Sequence, residues 1–275
     1  MKKRLLFLDL DGTLLNDAKE ITDGNRQALE RTLQRGHGVI IATGRPLKSA
    51  LEQARRLGVD KPGCYTIAYN GAVVYDWAKQ DKVFSRALSK DAVIRVFERA
   101  NEIGEHIQTY DSFDVLVEAR GDDDAVRRYC KIVSMTYRVI KDIRTDLMED
   151  PVKCLVINYE KKDGLKKMQT WIRENVPQMD CFFSSDYLLE VVPKGMNKGE
   201  AVKMLCKMLN VEIENAVACG DAANDLAMLQ AAGIGVAMQN ATDEVKAVAD
   251  YITTRDNNHD GVAEAADKFF YEDVD

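Results

Sequence analysis

Two carboxylates stand directly after a short apolar run near the start of the chain. Residues 5–8 read Leu-Leu-Phe-Leu and are followed by Asp9-Leu10-Asp11-Gly12-Thr13. A continuous apolar run that ends at a glycine is typical of a buried strand in a parallel sheet. Ligands of open α/β sheets bind beyond the carboxyl ends of the strands, which is where Asp9 and Asp11 fall. Two neighbouring carboxylates repel each other unless a cation lies between them, and Mg²⁺ prefers such oxygen ligands. The pattern therefore predicts a magnesium site.

The same two carboxylates are suited to phosphoryl-transfer chemistry. Asp9, at a rigid strand end, could attack phosphorus in line with the leaving group. Asp11 could protonate the departing alkoxide and then take a proton from the hydrolytic water. Asp9 must be ionised to attack, and an adjacent Mg²⁺ favours that form.

Three later residues offer groups that bind a phosphoryl group. Thr43 and Gly44 follow a second apolar run and present a hydroxyl and an amide, which suit the equatorial oxygens of a phosphoryl group. Lys198 offers a mobile positive charge for the same oxygens. Taken alone, Lys198 is an ordinary lysine at a predicted helix start, so its assignment depends on the other residues.

A further apolar run, Ala216–Cys219, leads into Gly220-Asp221-Ala222-Ala223-Asn224-Asp225. Asp221 and Asp225 offer additional carboxylates to the metal. Asn224 can donate to phosphate or orient a water ligand. We therefore expect these residues to join Asp9 and Asp11 at one edge of the sheet.

Buried strands alternate with helices around these residues. The predicted elements in chain order are the strand before Asp9, helix 22–35, strand 38–42, a helix from Pro46 to about Leu57, strand 65–69, helix 198–209, strand 216–219, helix 224–232, strand 235–238 and helix 261–270. This β-α-β rhythm predicts a parallel sheet with right-handed crossovers. The predicted fold class is α/β with a Rossmann-like core.

The alternation of single buried strands with helices stops between residues 82 and 191. Here the pattern α-β-β-α-β-α-β-β contains no series of buried parallel strands. We interpret it as an inserted α+β domain. The predicted organisation is a core formed by residues 1–81 and 192–275, with an inserted cap at residues 82–191.

Composition narrows the class of protein. The chain has 275 residues, of which 46% are hydrophobic and 30% charged, as in globular proteins. Its net charge of -7 argues against nucleic acid as a partner, and no apolar run approaches the roughly 20 residues of a membrane span. The six cysteines form no C-x-x-C pair, so we expect reduced thiols in a cytoplasmic protein.

Taken together, the motifs resemble those of the haloacid dehalogenase (HAD) superfamily of phosphatases. The run Asp9 to Thr13, Thr43 at a strand end, Lys198, and Gly220-Asp221-x-x-Asn224-Asp225 match its four motifs in order. The insert resembles the α+β (type IIB) cap of the Cof-type subfamily. Thr43-Gly44-Arg45 and Asn70-Gly71-Ala72 also look Cof-like.

The resemblance implies a role for each matching position. Asp9 would be the nucleophile that forms an aspartyl-phosphate, and Asp11 the general acid and base. Mg²⁺ would be held by the Asp9 side chain, the Asp11 backbone carbonyl and Asp221, with Asp225 a ligand or directly behind one. The phosphate-binding residues would be Leu10, Thr43, Gly44, Lys198 and Asn224. Arg45 and Asn70 are candidate contacts to the substrate, a small phosphorylated metabolite such as a sugar phosphate.

The same residues are compatible with two other functions. A phosphotransferase or phosphomutase would pass the aspartyl-phosphate to a sugar hydroxyl instead of water. A non-enzymatic phospho-acceptor signalling module would keep the phosphate as a switch. Asp11 argues against the second, since a long-lived acyl phosphate gains nothing from an adjacent acid–base group.

Overall fold

The computed structural model describes residues 2–160 and 162–271. The chain divides into two compact units. The core unit comprises Met1–Gly44, Ala50–Val83 and Asn197–Asp275, and the cap unit comprises Arg45–Ser49 and Phe84–Met196.

The strands within the described residues are β1 Leu5–Leu8, β2 Gly38–Ala42, β3 Cys64–Ala68, β4 Val73–Asp76, β5 Asp81–Ser85, β6 His106–Tyr110, β7 Val115–Glu118, β8 Tyr137–Ile140, β9 Cys154–Ile157, β10 Met179–Ser185, β11 Leu188–Pro193, β12 Ala216–Gly220, β13 Ile234–Ala237 and β14 Tyr251–Ile252. The α-helices are α1 Asp23–Gln34, α2 Leu47–Arg56, α3 Lys90–Ile103, α4 Asp124–Val133, α5 Ile143–Asp146, α6 Lys162–Asn175, α7 Lys198–Met208, α8 Leu226–Ala231, α9 Asp243–Lys246 and α10 Gly261–Phe270. No helix among the described residues is long and apolar enough to cross a membrane.

The core unit is built on a sheet with the strand order β14-β13-β12-β1-β2-β3-β4-β5. The strands from β14 to β3 pair in parallel, which confirms the predicted α/β class. Every residue of β1, β2 and β12 is buried, because helices cover both faces of a parallel sheet. α1 packs against α10, and α7 packs against α8.

The sheet departs from the prediction beyond β3. Strand β3 ends at Ala68, one residue before the predicted end, because Tyr69 takes a left-handed backbone conformation with φ 51°. The chain then turns back, and β4 pairs antiparallel with β3. This strand was not predicted, since four residues after an Asn-Gly pair carry little periodicity.

The cap unit has its own sheet, with the strand order β10-β11-β9-β6-β7-β8. One hydrophobic cluster joins this sheet to α3 and α6, and it includes Phe97, Ile107, Val156, Leu165 and Leu189. Strand β8, which pairs in parallel with β7, was not predicted because two of its four residues are exposed.

A polar contact also lies inside the cap unit. The Lys153 ammonium and the Glu190 carboxylate, both buried, form an ion pair at 2.7 Å (Nζ–Oε2). A buried ion pair of this kind depends on both partners being present.

Candidate active site

Asp9 is positioned by β1. This strand pairs in parallel with β12 on one side and with β2 on the other. The Asp9 amide continues the pairing and donates to the Cys219 carbonyl at 3.1 Å. Asp9 is 6% exposed. The sheet therefore fixes its backbone at the carboxyl edge, with the side chain largely out of water.

Asp221 and Asp225 reach the same place from β12. The Asp225 Oδ2 atom accepts hydrogen bonds from the amides of Asp221 (3.0 Å) and Ala222 (3.2 Å), which closes the turn after the strand. Ligand oxygens of Asp9, Asp221 and Asp225 all lie within 4.8 Å of one another. The structure thus brings together three of the four aspartates that the sequence assigned to the metal.

Lys198 places an ammonium among these three aspartate side chains. It is the first residue of α7, which begins there because the Asn197 side chain accepts from the Glu200 amide at 3.0 Å. The Lys198 Nζ atom lies 2.5 Å from Asp9 Oδ1 and 2.6 Å from Asp225 Oδ1, and the residue is 0% exposed. A fully buried ammonium needs such partners, so Lys198 and the carboxylates depend on each other.

Burial and like charge shift the ionisation of these groups. Burial raises the pKa of Asp9 well above its ordinary value; Asp225 and Asp221 raise it further, whereas Lys198 opposes the rise. Burial raises the pKa of Asp221 to about 6. Burial alone would lower the pKa of Lys198, but the Asp225 and Asp9 carboxylates more than offset this and raise it. Lys198 is therefore a cation at neutral pH, whereas burial favours the neutral form of the Asp9 carboxyl group.

This donor set fits a divalent cation. When ionised, three carboxylates and one ammonium leave two negative charges in a buried space. Both Asp225 oxygens already accept hydrogen bonds, from Lys198 and from backbone amides. Asp9 and Asp221 are consequently the side chains best placed to hold Mg²⁺, which takes few carboxylates and retains water ligands.

Two neighbours of Asp221 were given no role by the sequence. The buried Thr13 hydroxyl donates to Asp221 Oδ1 at 2.7 Å and so orients that carboxylate. Gly12 has φ 87°, and a Cβ atom there would lie 2.5 Å from Asp221 Oδ2. The D-x-D-G-T run contains both residues, but nothing local indicates a contact to a residue 208 positions away.

Asp11 lies apart from the three clustered aspartates. Its side chain is 39% exposed, and its Oδ1 atom lies 3.0 Å from the Lys19 ammonium. This exposure makes the Asp11 carboxylate accessible to water, which its predicted role as general acid and base requires. The segment after Asp11 is held in place by Asn257, whose side chain donates to the Leu15 carbonyl at 3.0 Å.

Thr43 and Gly44 follow β2, the strand next to β1. Thr43 is buried; its amide donates to the Ile67 carbonyl at 2.9 Å, and its carbonyl accepts from the Asn70 amide at 3.1 Å. These two bonds fix the loop against the end of β3. The loop therefore stands at the same sheet edge as Asp9.

The remaining candidates occupy different surroundings. Leu10 is buried between the two aspartates of the first motif, and Asn224 is half-buried in the turn directly before Asp225. Asn70 is buried and lies against Gly44. Arg45 is half-buried in the segment Arg45–Ser49, which is grouped with the cap unit.

Comparison with known proteins gives the context for this geometry. The family model of haloacid dehalogenase-like hydrolases matches residues 6–265. The Bacillus subtilis protein YcsE, named 5-amino-6-(5-phospho-D-ribitylamino)uracil phosphatase, is 31% identical over 95% of this chain and 94% of its own length. Bacillus subtilis YitU, which has the same descriptive name, is 29% identical over 98% of each chain.

Solved structures agree with these sequence matches. A haloacid dehalogenase-like hydrolase from Bacteroides thetaiotaomicron has a TM-score of 0.88 and 34% identity, over 98% of this chain and 100% of that one. TM0651 from Thermotoga maritima has a TM-score of 0.83 and 30% identity, over 97% of each chain. The predicted class of enzyme, a phosphoric monoester hydrolase, is confirmed by the family and by the names of these relatives. Because the family model covers nearly the whole chain, this protein belongs to the haloacid dehalogenase-like hydrolases.

Proposed function

We propose that this protein is a Mg²⁺-dependent phosphatase that hydrolyses small phosphomonoesters through an aspartyl-phosphate. The observation that carries the proposal is the position of Asp9. Its buried carboxylate stands at the end of β1 beside the Lys198 ammonium, within 4.8 Å of ligand oxygens of Asp221 and Asp225. A carboxylate held in this way is pre-positioned to act as a nucleophile, since the sheet leaves it little freedom.

The metal would be held by the Asp9 and Asp221 side chains and the Asp11 backbone carbonyl. Bound Mg²⁺ would neutralise charge on the phosphoryl oxygens and keep Asp9 ionised. Asp225 would act from behind these ligands, because its Oδ2 atom orients the Asp221 backbone and its Oδ1 atom holds Lys198. Thr13 would fix the rotamer of Asp221.

The reaction would proceed in two displacements. Asp9 attacks phosphorus, a carboxylate–phosphorus bond forms, and the ester oxygen leaves with a proton from Asp11. Water then attacks the phosphorus and gives its proton to Asp11, and the bond to Asp9 breaks. Phosphate and the free alcohol are the products, and both aspartates regain their starting states.

The phosphoryl oxygens would be bound at the same sheet edge. Lys198 has three N–H groups, of which Asp9 and Asp225 take two, so the third can be directed to a phosphoryl oxygen. Thr43, Gly44, Asn224 and the Leu10 backbone would supply neutral donors. This arrangement uses donors fixed before the substrate binds, which lowers the reorganisation needed during reaction.

The substrate is proposed to be a small phosphorylated metabolite, with sugar phosphates and related compounds first. The names of YcsE and YitU specify a phosphorylated ribityl chain, which is chemically a sugar-alcohol phosphate. Arg45 would contact the substrate. The net charge of -7 disfavours nucleic acid, and the six unpaired cysteines are compatible with a reducing, cytoplasmic location.

Phosphate release tests the proposal. Purified protein is incubated with an aryl phosphate and a panel of sugar, sugar-alcohol and cofactor phosphates, with Mg²⁺ or with a chelator. We expect turnover that requires Mg²⁺ and falls by at least about 10³-fold in Asp9→Asn, because the nucleophile is lost. Asp23→Asn, a matched change at the exposed start of α1, should keep full activity.

Other outcomes would contradict the proposal. Equal turnover in Asp9→Asn would remove Asp9 from the chemistry. Phosphorylated acceptor sugar without free phosphate would instead identify a phosphotransferase. A stable phosphoprotein without turnover on any substrate would identify a phospho-acceptor module.

A further inference from the structure

The segment Tyr69–Gly71 combines backbone strain with a buried amide that lacks a partner. Tyr69, Asn70 and Gly71 all have positive φ, at 51°, 54° and 109°. A left-handed conformation is uncommon and strained for a bulky aromatic residue such as Tyr69. Such strain persists only where the surrounding structure enforces it.

Asn70 adds a second unfavourable feature. The residue is 2% exposed, and neither Nδ2 nor Oδ1 has a hydrogen-bond partner among the residues that the structure describes. Buried amides in folded proteins are nearly always hydrogen-bonded, because leaving them unsatisfied is costly. Some group other than the described protein atoms is therefore expected to use this amide.

The surroundings of Asn70 indicate what that group is. Its amide lies on the side of Gly44 where a side chain would project: a Cβ atom at Gly44 would be 2.9 Å from Oδ1 and 3.1 Å from Nδ2. The Asn70 backbone N–H also donates a hydrogen bond to the Thr43 carbonyl. Asn70 is thus in contact with both residues of the proposed phosphate-binding loop.

The next residue contacts the other side of the proposed site. A Cβ atom at Gly71 would lie 2.4 Å from the Asn197 carbonyl oxygen, so only glycine permits this approach. Asn197 immediately precedes Lys198 and caps its helix. The strained segment therefore lies between the Thr43–Gly44 loop and the start of α7, which both present proposed donors to phosphate.

We infer that Asn70 is an anion-binding residue whose side-chain N–H donates to an oxygen of the phosphoryl group held at the Thr43–Gly44 loop. This inference rests on the proposed phosphatase function and adds a neutral donor to it. An amide suits the position because it donates to an oxyanion without adding charge beside Lys198.

If Asn70 had only a structural role, removing its side-chain amide would leave phosphate binding unchanged. Asn is the residue that best tolerates left-handed φ after glycine, so Asn70 could be present for its backbone alone. Asn70→Gly separates the two roles. Glycine keeps the left-handed conformation without strain but removes the amide.

The experiment measures inorganic phosphate as a product inhibitor and, with Mg²⁺ present, its binding by calorimetry. For Asn70→Gly we expect the inhibition constant, the dissociation constant and KM to rise by about 10- to 100-fold, as for loss of a hydrogen bond to a charged group. Asn70→Asp keeps the shape but replaces the donor with a carboxylate, so it should bind phosphate at least as poorly. Asn210→Gly is the matched control, because exposed Asn210 also has a left-handed φ of 51°.

Each outcome has one meaning. Wild-type phosphate binding in Asn70→Gly or Asn70→Asp would overturn the inference and leave the backbone role. Weaker binding in Asn210→Gly equal to that in Asn70→Gly would also overturn it. If the wild type binds phosphate through Asn70 but hydrolyses no ester, the anion site stands and the proposed hydrolysis fails. If the wild type neither binds nor releases phosphate, both proposals are wrong.

Discussion

Replacing Lys198 with methionine tests whether its ammonium holds the clustered aspartates together. Methionine keeps much of the volume of the buried side chain but removes the charge. The change leaves Asp9 Oδ1 and Asp225 Oδ1 without the cation that now lies 2.5 and 2.6 Å away. Two buried carboxylates then face each other and Asp221 without compensation.

The expected loss of stability follows from this burial. Removing one partner of a buried ion pair costs about 3–5 kcal/mol, and here the ammonium serves two carboxylates, so we expect a value near the upper end. That is a large part of the roughly 5–15 kcal/mol that stabilises a typical domain. Lys203→Met, on the same helix, removes an exposed ion pair with Glu200 and should cost at most about 0.5 kcal/mol.

The loss should depend on pH. A carboxyl group whose pKa is raised by folding adds stability below its unfolded pKa, and this stability is lost as the pH rises through its folded pKa. Burial raises the pKa of Asp9, and without the ammonium that pKa should rise further. The cost of Lys198→Met should therefore be largest near about pH 8 and shrink towards about pH 5, where protonation relieves the repulsion.

Urea unfolding in the presence of a chelator measures this effect. In a Trp171→Phe background, the fluorescence of Trp77 reports the core unit alone, since Trp171 lies in the cap unit. Mg²⁺ should restore part of the lost stability at about pH 8, because it supplies the missing positive charge. A loss below about 1 kcal/mol, or one that is equal at both pH values, would refute the idea that the ammonium compensates the carboxylates.

Two further predictions concern other buried charges, one in the same aspartate cluster and one in the cap unit. Asp221→Asn should raise the free energy of unfolding of the metal-free protein by about 3 kcal/mol at about pH 8 but hardly at all near about pH 4. The reason is that the wild-type carboxyl, whose pKa is raised to about 6, loses its stabilising contribution as the pH rises through that value. Thermal unfolding across pH checks this, and the variant should also lose stabilisation by Mg²⁺; a pH-independent difference would contradict it. In the cap unit, Lys153→Met should cost about 3–5 kcal/mol by leaving Glu190 buried and unpaired, whereas a Lys153→Met, Glu190→Leu double variant should recover most of that loss. Unfolding followed by Trp171 fluorescence in a Trp77→Phe background measures both, and equal losses in the single and double variants would show that the pair is not the cause.

Much of the core was predictable from the sequence. The apolar runs before Asp9, Thr43 and Asp221 identify buried parallel strands by length and composition alone. In a parallel sheet the residues after such strands meet at one edge, which is why the α/β class and the family follow from local patterns. The roles assigned to the individual residues remain predictions until the variants are measured.

The hydrophobic pattern of the sequence did not predict strands that were short or exposed. Strand β4 has four residues after a turn, and β8 has two exposed residues, so neither shows a clear period. Tyr69 looked like the last residue of a strand, yet its backbone is left-handed. The next two residues make tertiary contacts, Asn70 with Thr43 and Gly71 with Asn197, and no local pattern reveals them.

The sequence by itself determined which chemical groups this protein carries and the sheet edge at which they stand. Only the tertiary structure decided how they combine. Lys198 bridges Asp9 and Asp225 across 189 and 27 positions of the chain, and Thr13 orients Asp221 across 208. Burial of these charges, which raises the pKa of Asp9 and Asp221, arises only when distant segments pack together. No property of a local stretch of sequence contains that information, because the low dielectric around each group is made by the rest of the fold.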